Sequence, residues 1–116
     1  MAEAQEWVTV ARTADVPPGA VKTVWVQARA LALVNLAGQL YAVSGTCPHR
    51  EGPLGEGRLV RDELACPWHG FRFDPRTGRA TVPAAHPGVP TFAVRVIGDD
   101  VQVALPPDAT WSTARP

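Results

Sequence analysis

The sequence predicts an all-β domain, and three observations carry that reading. Apolar residues recur with a period of two along most of the chain. Ten glycines and twelve prolines among 116 residues interrupt these runs at short intervals. No window holds the longer period of an extended helix. Trp7-Val8-Thr9-Val10 alternates and opens the first strand. Thr13 to Val16 can make one short helical turn, which Pro17-Pro18-Gly19 ends because proline cannot donate the next backbone hydrogen bond. Val21 to Gln27 is β-branched and aromatic, as a pleated surface favours, and Trp25 within it is expected in the core. Ala30 to Leu36 and Leu40 to Ser44 flank Ala37-Gly38-Gln39, a tight hairpin. Gly57 to Val60 and Glu63 to Cys66 flank a second turn at Arg61-Asp62. Phe92 to Ile97 reads as one strand, reversed by Gly98-Asp99-Asp100 into Val101 to Leu105. Short antiparallel strands joined this way form barrels or sandwiches.

Composition bounds the function. A chain of this length suits one domain, and 46% hydrophobic residues can fill its core. Eleven basic and eleven acidic side chains cancel, so no basic face invites nucleic acid. The longest apolar stretch, Ala30 to Ala37 broken by Asn35, is too short to span a bilayer. The first six residues are polar and acidic and lack the features of a secretion signal. A cytoplasmic protein without membrane partners is therefore expected. Residues 1–106 are read as a single domain and 107–116 as a loosely ordered tail. Trp7 and Trp111, near the two ends, are expected to pack against the barrel.

The chemistry concentrates in two runs. Cys47-Pro48-His49-Arg50 and Cys66-Pro67-Trp68-His69 hold both cysteines and two of the three histidines. Sixteen residues separate His49 from Cys66. Two thiolates and two imidazoles make a complete four-ligand set. Tetrahedral zinc could use it, and so could a [2Fe–2S] centre with two histidines on one iron. The order of residues separates these options. Zinc fingers usually pair Cys with Cys and His with His. Here each loop offers one of each, which lets each loop reach both irons of a two-iron cluster. With both thiolates on iron, none remains for a disulfide, which fits a reducing compartment.

These boxes resemble those of the Rieske family. The likeness continues through Gly70, Phe71-Arg72-Phe73-Asp74 and the turn Pro75-Arg76-Thr77-Gly78. It includes Val82 to Pro90, where the family places a proline loop over the cluster. It covers roughly Trp7 to Leu105. The resemblance implies an antiparallel barrel or sandwich with an inserted cluster-binding subdomain, about 45–83, and one [2Fe–2S] cluster held by Cys47, His49, Cys66 and His69. It implies a monomeric one-electron carrier of the ferredoxin type, not itself an enzyme, between a flavin-dependent NAD(P)H reductase and a terminal oxygenase. A second reading stays open: the small subunit of an assimilatory NADH-dependent nitrite reductase.

Departures from the respiratory members of that family are informative. Those proteins place hydroxyl donors after the second His-Gly; this chain has Phe71 and Phe73 there. They also bridge their loops with a disulfide, at positions occupied here by Gly52 and Trp68. Without the hydroxyls, a potential near the low end of the family's range, roughly −150 to +300 mV, is expected. Gly70 can shape the second loop. Trp68 either shields the cluster or simply packs. Arg50 and Glu51 either meet a partner or are merely solvated, and Pro83 lies in the proline loop beside the proposed docking tip. His86 reads more simply as a surface histidine than as a proton or partner contact. Electrons are expected to leave by the histidine side, with both thiolates buried.

Overall fold

The computed structural model describes residues 6–27, 29–47, 52–68 and 70–105. Eleven strands are assigned among them, arranged in three antiparallel sheets. The strands are β1 (Glu6–Arg12), β2 (Val21–Val26), β3 (Arg29–Leu36), β4 (Gln39–Ser44), β5 (Arg58–Val60), β6 (Glu63–Ala65), β7 (Arg72–Phe73), β8 (Ala80–Val82), β9 (Thr91–Phe92), β10 (Val94–Ile97) and β11 (Asp100–Leu105). The first sheet runs β1-β11-β10, the central sheet β2-β3-β4-β9 and the small sheet β5-β6-β7-β8. Single 3₁₀ turns occupy Thr13–Asp15 and Leu54–Glu56. The first is the short turn that the sequence predicts before Pro17. No helix of the described residues is long and apolar enough to cross a membrane.

Tight turns fix the hairpin registers. Ala37 and Gly38 both adopt positive φ, as do Arg61 and Asp62. Positive φ at both central residues matches the right-handed twist of the flanking strands. Gly98, also at positive φ, turns β10 into β11.

The central sheet is buried on both faces. Leu31, Leu33, Leu40, Ala42 and Phe92 point to one side, where they meet Val101, Val103 and Leu105 of the first sheet. Ala32, Val34 and Val43 point to the other, against Leu54, Leu64, Phe73 and both cysteines. This explains the unbroken apolar run at the heart of β3. A strand covered on both faces has no solvent side on which polar residues would alternate. Its one buried polar residue, Asn35, is hydrogen-bonded through both ends of its amide. Its Nδ2 donates to the Val16 carbonyl at 2.8 Å, and its Oδ1 accepts from the Gly38 N–H at 2.7 Å.

Two expectations change. Trp25 is 69% exposed and not in the core. It lies on an edge strand whose second face is covered at Thr23 by the close approach of Gly55 in the Leu54–Glu56 turn. That cover does not extend over Trp25. The strand expected over Phe92 to Ile97 is broken at Ala93. Phe92 pairs with Ala42 in the central sheet, whereas Val94 pairs with Val103 in the first. One run of sequence thus serves two sheets and joins them at a corner. Trp7 is half-buried, with the Arg95 guanidinium 4.2 Å over its ring. Trp111 lies outside the described residues.

Asn35→Ala removes the partner of the Val16 carbonyl and of the Gly38 N–H, so it should destabilise the fold by about 1–3 kcal/mol. Trp25→Ala should change stability by less than about 0.5 kcal/mol, as exposed positions do. Urea unfolding of both variants checks this pair.

Candidate metal centre

Two loops begin at the cysteines, and a backbone hydrogen bond of the same kind closes the base of each. The first runs from Cys47 to Gly52, and the Cys47 N–H donates to the Gly52 carbonyl at 2.8 Å. The second runs from Cys66 to Phe71, and the Cys66 N–H donates to the Phe71 carbonyl at 2.7 Å. Each cysteine therefore closes the base of its own loop with its backbone N–H. Below the first loop, Thr46 bridges to Pro53, and the Leu54 N–H donates to the Gly45 carbonyl at 2.9 Å. Ser44 Oγ accepts from the Thr46 N–H at 3.2 Å. Below the second loop, β6 and β7 continue the small sheet through the pairs Leu64–Phe73 and Ala65–Arg72.

The thiols are buried, Cys47 completely and Cys66 at 3% exposure. They are not joined in a disulfide. Both belong to the apolar cluster between the central and small sheets. The buried half of the expected arrangement is thus in place. His49 and His69 lie outside the described residues, as do Pro48, Arg50 and Glu51.

The flanking residues divide by role. Phe73 is fully buried and packs in the same cluster as the cysteines. Phe71 is partly buried at its margin. The ring of His86 meets Phe71 edge-on, centroids 4.8 Å apart and planes at 88°. His86 is therefore more than a surface histidine: it fastens the proline loop to the second cysteine loop. Its Nδ1 lies 3.0 Å from the Pro87 carbonyl oxygen. Pro83 is exposed on the loop, and Gly70 is exposed with φ +71°. Trp68 is 48% exposed. A cleft of about 440 Å³ beside the second loop is lined in part by Cys66, Pro67, Gly70, Arg58 and Arg72.

The proline loop has a second anchor. Asp74 opens the turn before it, accepting the Gly78 N–H on its carbonyl at 2.7 Å and the Arg76 Nε–H on its carboxylate at 3.1 Å. That hydrogen bond, with the nearby charge, raises the Arg76 pKa. Gly78 has φ +80°, and the Val89 N–H donates to its carbonyl at 2.8 Å. A Cβ on Gly78 would run into the Val89 carbonyl oxygen, so only glycine lets the two segments meet. Sequence reasoning missed the roles of His86 and Gly78. A turn signal shows that a glycine is present but not what it faces.

The residues present fit a [2Fe–2S] group. Both cysteines are outside any disulfide and are buried in one apolar cluster. Gly52 has no side chain where its Cβ would press on Cys66 Sγ at 2.9 Å, so the backbone can come close to the sulfur.

A family model described as the Rieske [2Fe-2S] domain matches residues 6–97. The ferredoxin component of the naphthalene 1,2-dioxygenase system of Pseudomonas aeruginosa is 32% identical over 101 residues, which cover 87% of this chain and 97% of that one. Among solved structures, the ferredoxin of carbazole 1,9a-dioxygenase from Nocardioides aromaticivorans IC177 superposes with a TM-score of 0.78 at 32% identity, covering 86% of this chain and 98% of that one. A Mycobacterium tuberculosis protein described as the small subunit of an NADH-dependent nitrite reductase superposes with a TM-score of 0.80 at 21% identity, covering 91% of this chain and all of the other. That last likeness is one of fold alone.

Gly78→Ala forces a methyl into left-handed backbone, at a cost of about 1–2 kcal/mol, and against the Val89 carbonyl. The expected outcome is a lower urea midpoint and faster proteolysis within the proline loop. Unchanged cleavage there would show that the Gly78 anchor does not hold the loop.

Proposed function

The chain belongs to the Rieske [2Fe–2S] family, and on that premise we propose that it is the ferredoxin of a ring-hydroxylating oxygenase system, carrying single electrons to the terminal oxygenase. The observation that carries this is a match to such ferredoxins along almost the whole length of both chains, joined to two buried thiols at the bases of twin loops. The chain is an electron-transfer component and not the catalyst. A flavin-dependent NAD(P)H reductase as donor, a monomeric state and a cytoplasmic setting complete the proposal. The cytoplasmic setting is supported by two cysteines that are not joined in a disulfide.

Cys47, His49, Cys66 and His69 would hold the cluster. Bound there, it supplies a one-electron couple that is about neutral when oxidised and singly negative when reduced. The chain's own residues set the surroundings of that charge. Leu54, Leu64 and Phe73 exclude water from the thiolate side. Backbone hydrogen bonds at Cys47 and Cys66 hold the loop bases, so the ligands need little rearrangement when the charge changes. Phe71 and Phe73 offer no hydroxyl to sulfur. His86 and the Gly78 turn hold the proline loop beside the second cysteine loop. The about 45–83 subdomain is supported by the separate small sheet. The docking face would lie at the loop tips, around Trp68, Arg50 and Pro83. With no net charge for steering at long range, recognition would rest on contacts at that face.

Purified protein made with iron available should contain two irons and two acid-labile sulfides per chain. One zinc with no labile sulfide would overturn the reading. Cys47→Ser or Cys66→Ser should abolish or badly destabilise the cluster, since metal binding free energy is also folding free energy. Added to an NAD(P)H reductase and a ring-hydroxylating oxygenase, the loaded protein should couple NAD(P)H oxidation to hydroxylated product, and the two serine variants should not.

The midpoint potential should lie near the negative end of the family range, at roughly −150 mV. Phe71→Ser should raise it, because a hydroxyl that reaches sulfur favours the more negative state. Phe73→Tyr tests the second position. Protein-film voltammetry reads both, and a wild-type midpoint well above zero would show that another group supplies the missing stabilisation.

A further inference from the structure

Gly52 is the place where the two cysteine loops touch. A Cβ built on it would lie 2.9 Å from Cys66 Sγ and 3.2 Å from both Cδ2 and Cε3 of Trp68. The first distance is shorter than real side chains tolerate, and the sulfur it meets is buried and cannot swing aside. The sulfur and the indole of the second loop therefore both close on the side of Gly52 where a side chain would project. Gly52 is buried, whereas Trp68 is about half exposed. The indole is the outer layer and the glycine lies beneath it. On its other side Gly52 is held by the Cys47 N–H at 2.8 Å. A continuous line of contacts thus runs from the Cys47 backbone through Gly52 to the Cys66 thiol, with Trp68 closing it from outside.

We propose that Trp68 and Gly52 form an aromatic clamp across the two loops, with Trp68 as a positioning residue that keeps Gly52 seated on Cys66 and keeps water from that sulfur. The contact needs both partners. Any residue larger than glycine at 52 drives the loops apart, and a side chain without a flat face at 68 leaves the seam open. The placement also accounts for an apolar residue at an exposed position: the indole approaches Gly52 at Cδ2 and Cε3 and is about half exposed.

The inference rests on the electron-carrier reading and adds a sign to it. The reduced cluster is one charge more negative than the oxidised one. Excluding water disfavours the more charged state. The clamp therefore lowers the potential, and opening it should make the cluster easier to reduce and quicker to lose.

The test uses the cluster-loaded chain and three variants, Trp68→Ala, Trp68→Phe and Gly52→Ala. Voltammetry reads the potential, and loss of visible absorbance under an iron chelator reads the hold on the cluster. Trp68→Ala should shift the electron equilibrium toward the reduced form by about threefold or more as water reaches the sulfur. It should also shorten the half-life under chelator. Trp68→Phe keeps a flat ring over Gly52 and should stay close to wild type in both readouts. Gly52→Ala should lose the cluster faster than Trp68→Phe does. The clamp is overturned if Trp68→Ala matches wild type in both measurements, or if Trp68→Phe behaves like Trp68→Ala. A wild-type chain without labile sulfide would instead refute the carrier reading, so the two failures are told apart.

Discussion

Burial of the central sheet on both faces is the constraint on which the rest depends. β3 has no solvent side along Leu31 to Asn35. One set of alternating side chains must be covered by the first sheet and the other by something else. The small sheet and the two cysteine loops provide that second cover. The cysteines are therefore part of the packing that completes the fold, and Cys47 is among the most buried residues of the chain. Core packing and the proposed cluster site share one apolar region.

That sharing shapes the chemistry. Charge placed in an apolar region is costly unless it is balanced. Two thiolates alone would be poorly tolerated beside Phe73, Leu54 and Leu64. Against a cluster core of opposite charge they would be neutralised in the oxidised state. The same surroundings that favour that neutral state work against the added electron, and no hydroxyl at Phe71 or Phe73 offsets this. The proposed low potential and the buried thiol side would be two consequences of one packing arrangement.

The outer surface of the site is built by contacts between segments distant in sequence. Trp68 lies over Gly52, His86 lies against Phe71, and Gly78 meets Val89. Each joins a cysteine loop or its neighbouring turn to another part of the chain. Among the described residues near the second cysteine loop and the proline loop, Trp68, Gly70, Val82 and Pro83 are exposed.

Much was legible in the sequence because it is local. Period-two alternation places strands, since successive side chains of a strand point to opposite faces. Ala37-Gly38 and Arg61-Asp62 mark turns because the chain must reverse between two apolar runs. The interleaved Cys and His boxes point to an iron–sulfur ligand set, because ligand type and order follow from residue identity alone. What the sequence left undecided is which strand meets which sheet and what lies over each face. Trp25 alternates like a core residue, yet its face of the edge strand is left uncovered. Phe92 to Ile97 alternates like one strand, yet it turns a corner at Ala93. The closeness of Gly52 to Cys66, and of His86 to Phe71, could not be read from spacing at all. Thirteen residues lie between Gly52 and Cys66, and fourteen between Phe71 and His86. Contacts over such distances are decided only when the sheets stack, because burial of apolar area depends on the whole arrangement and not on any one segment.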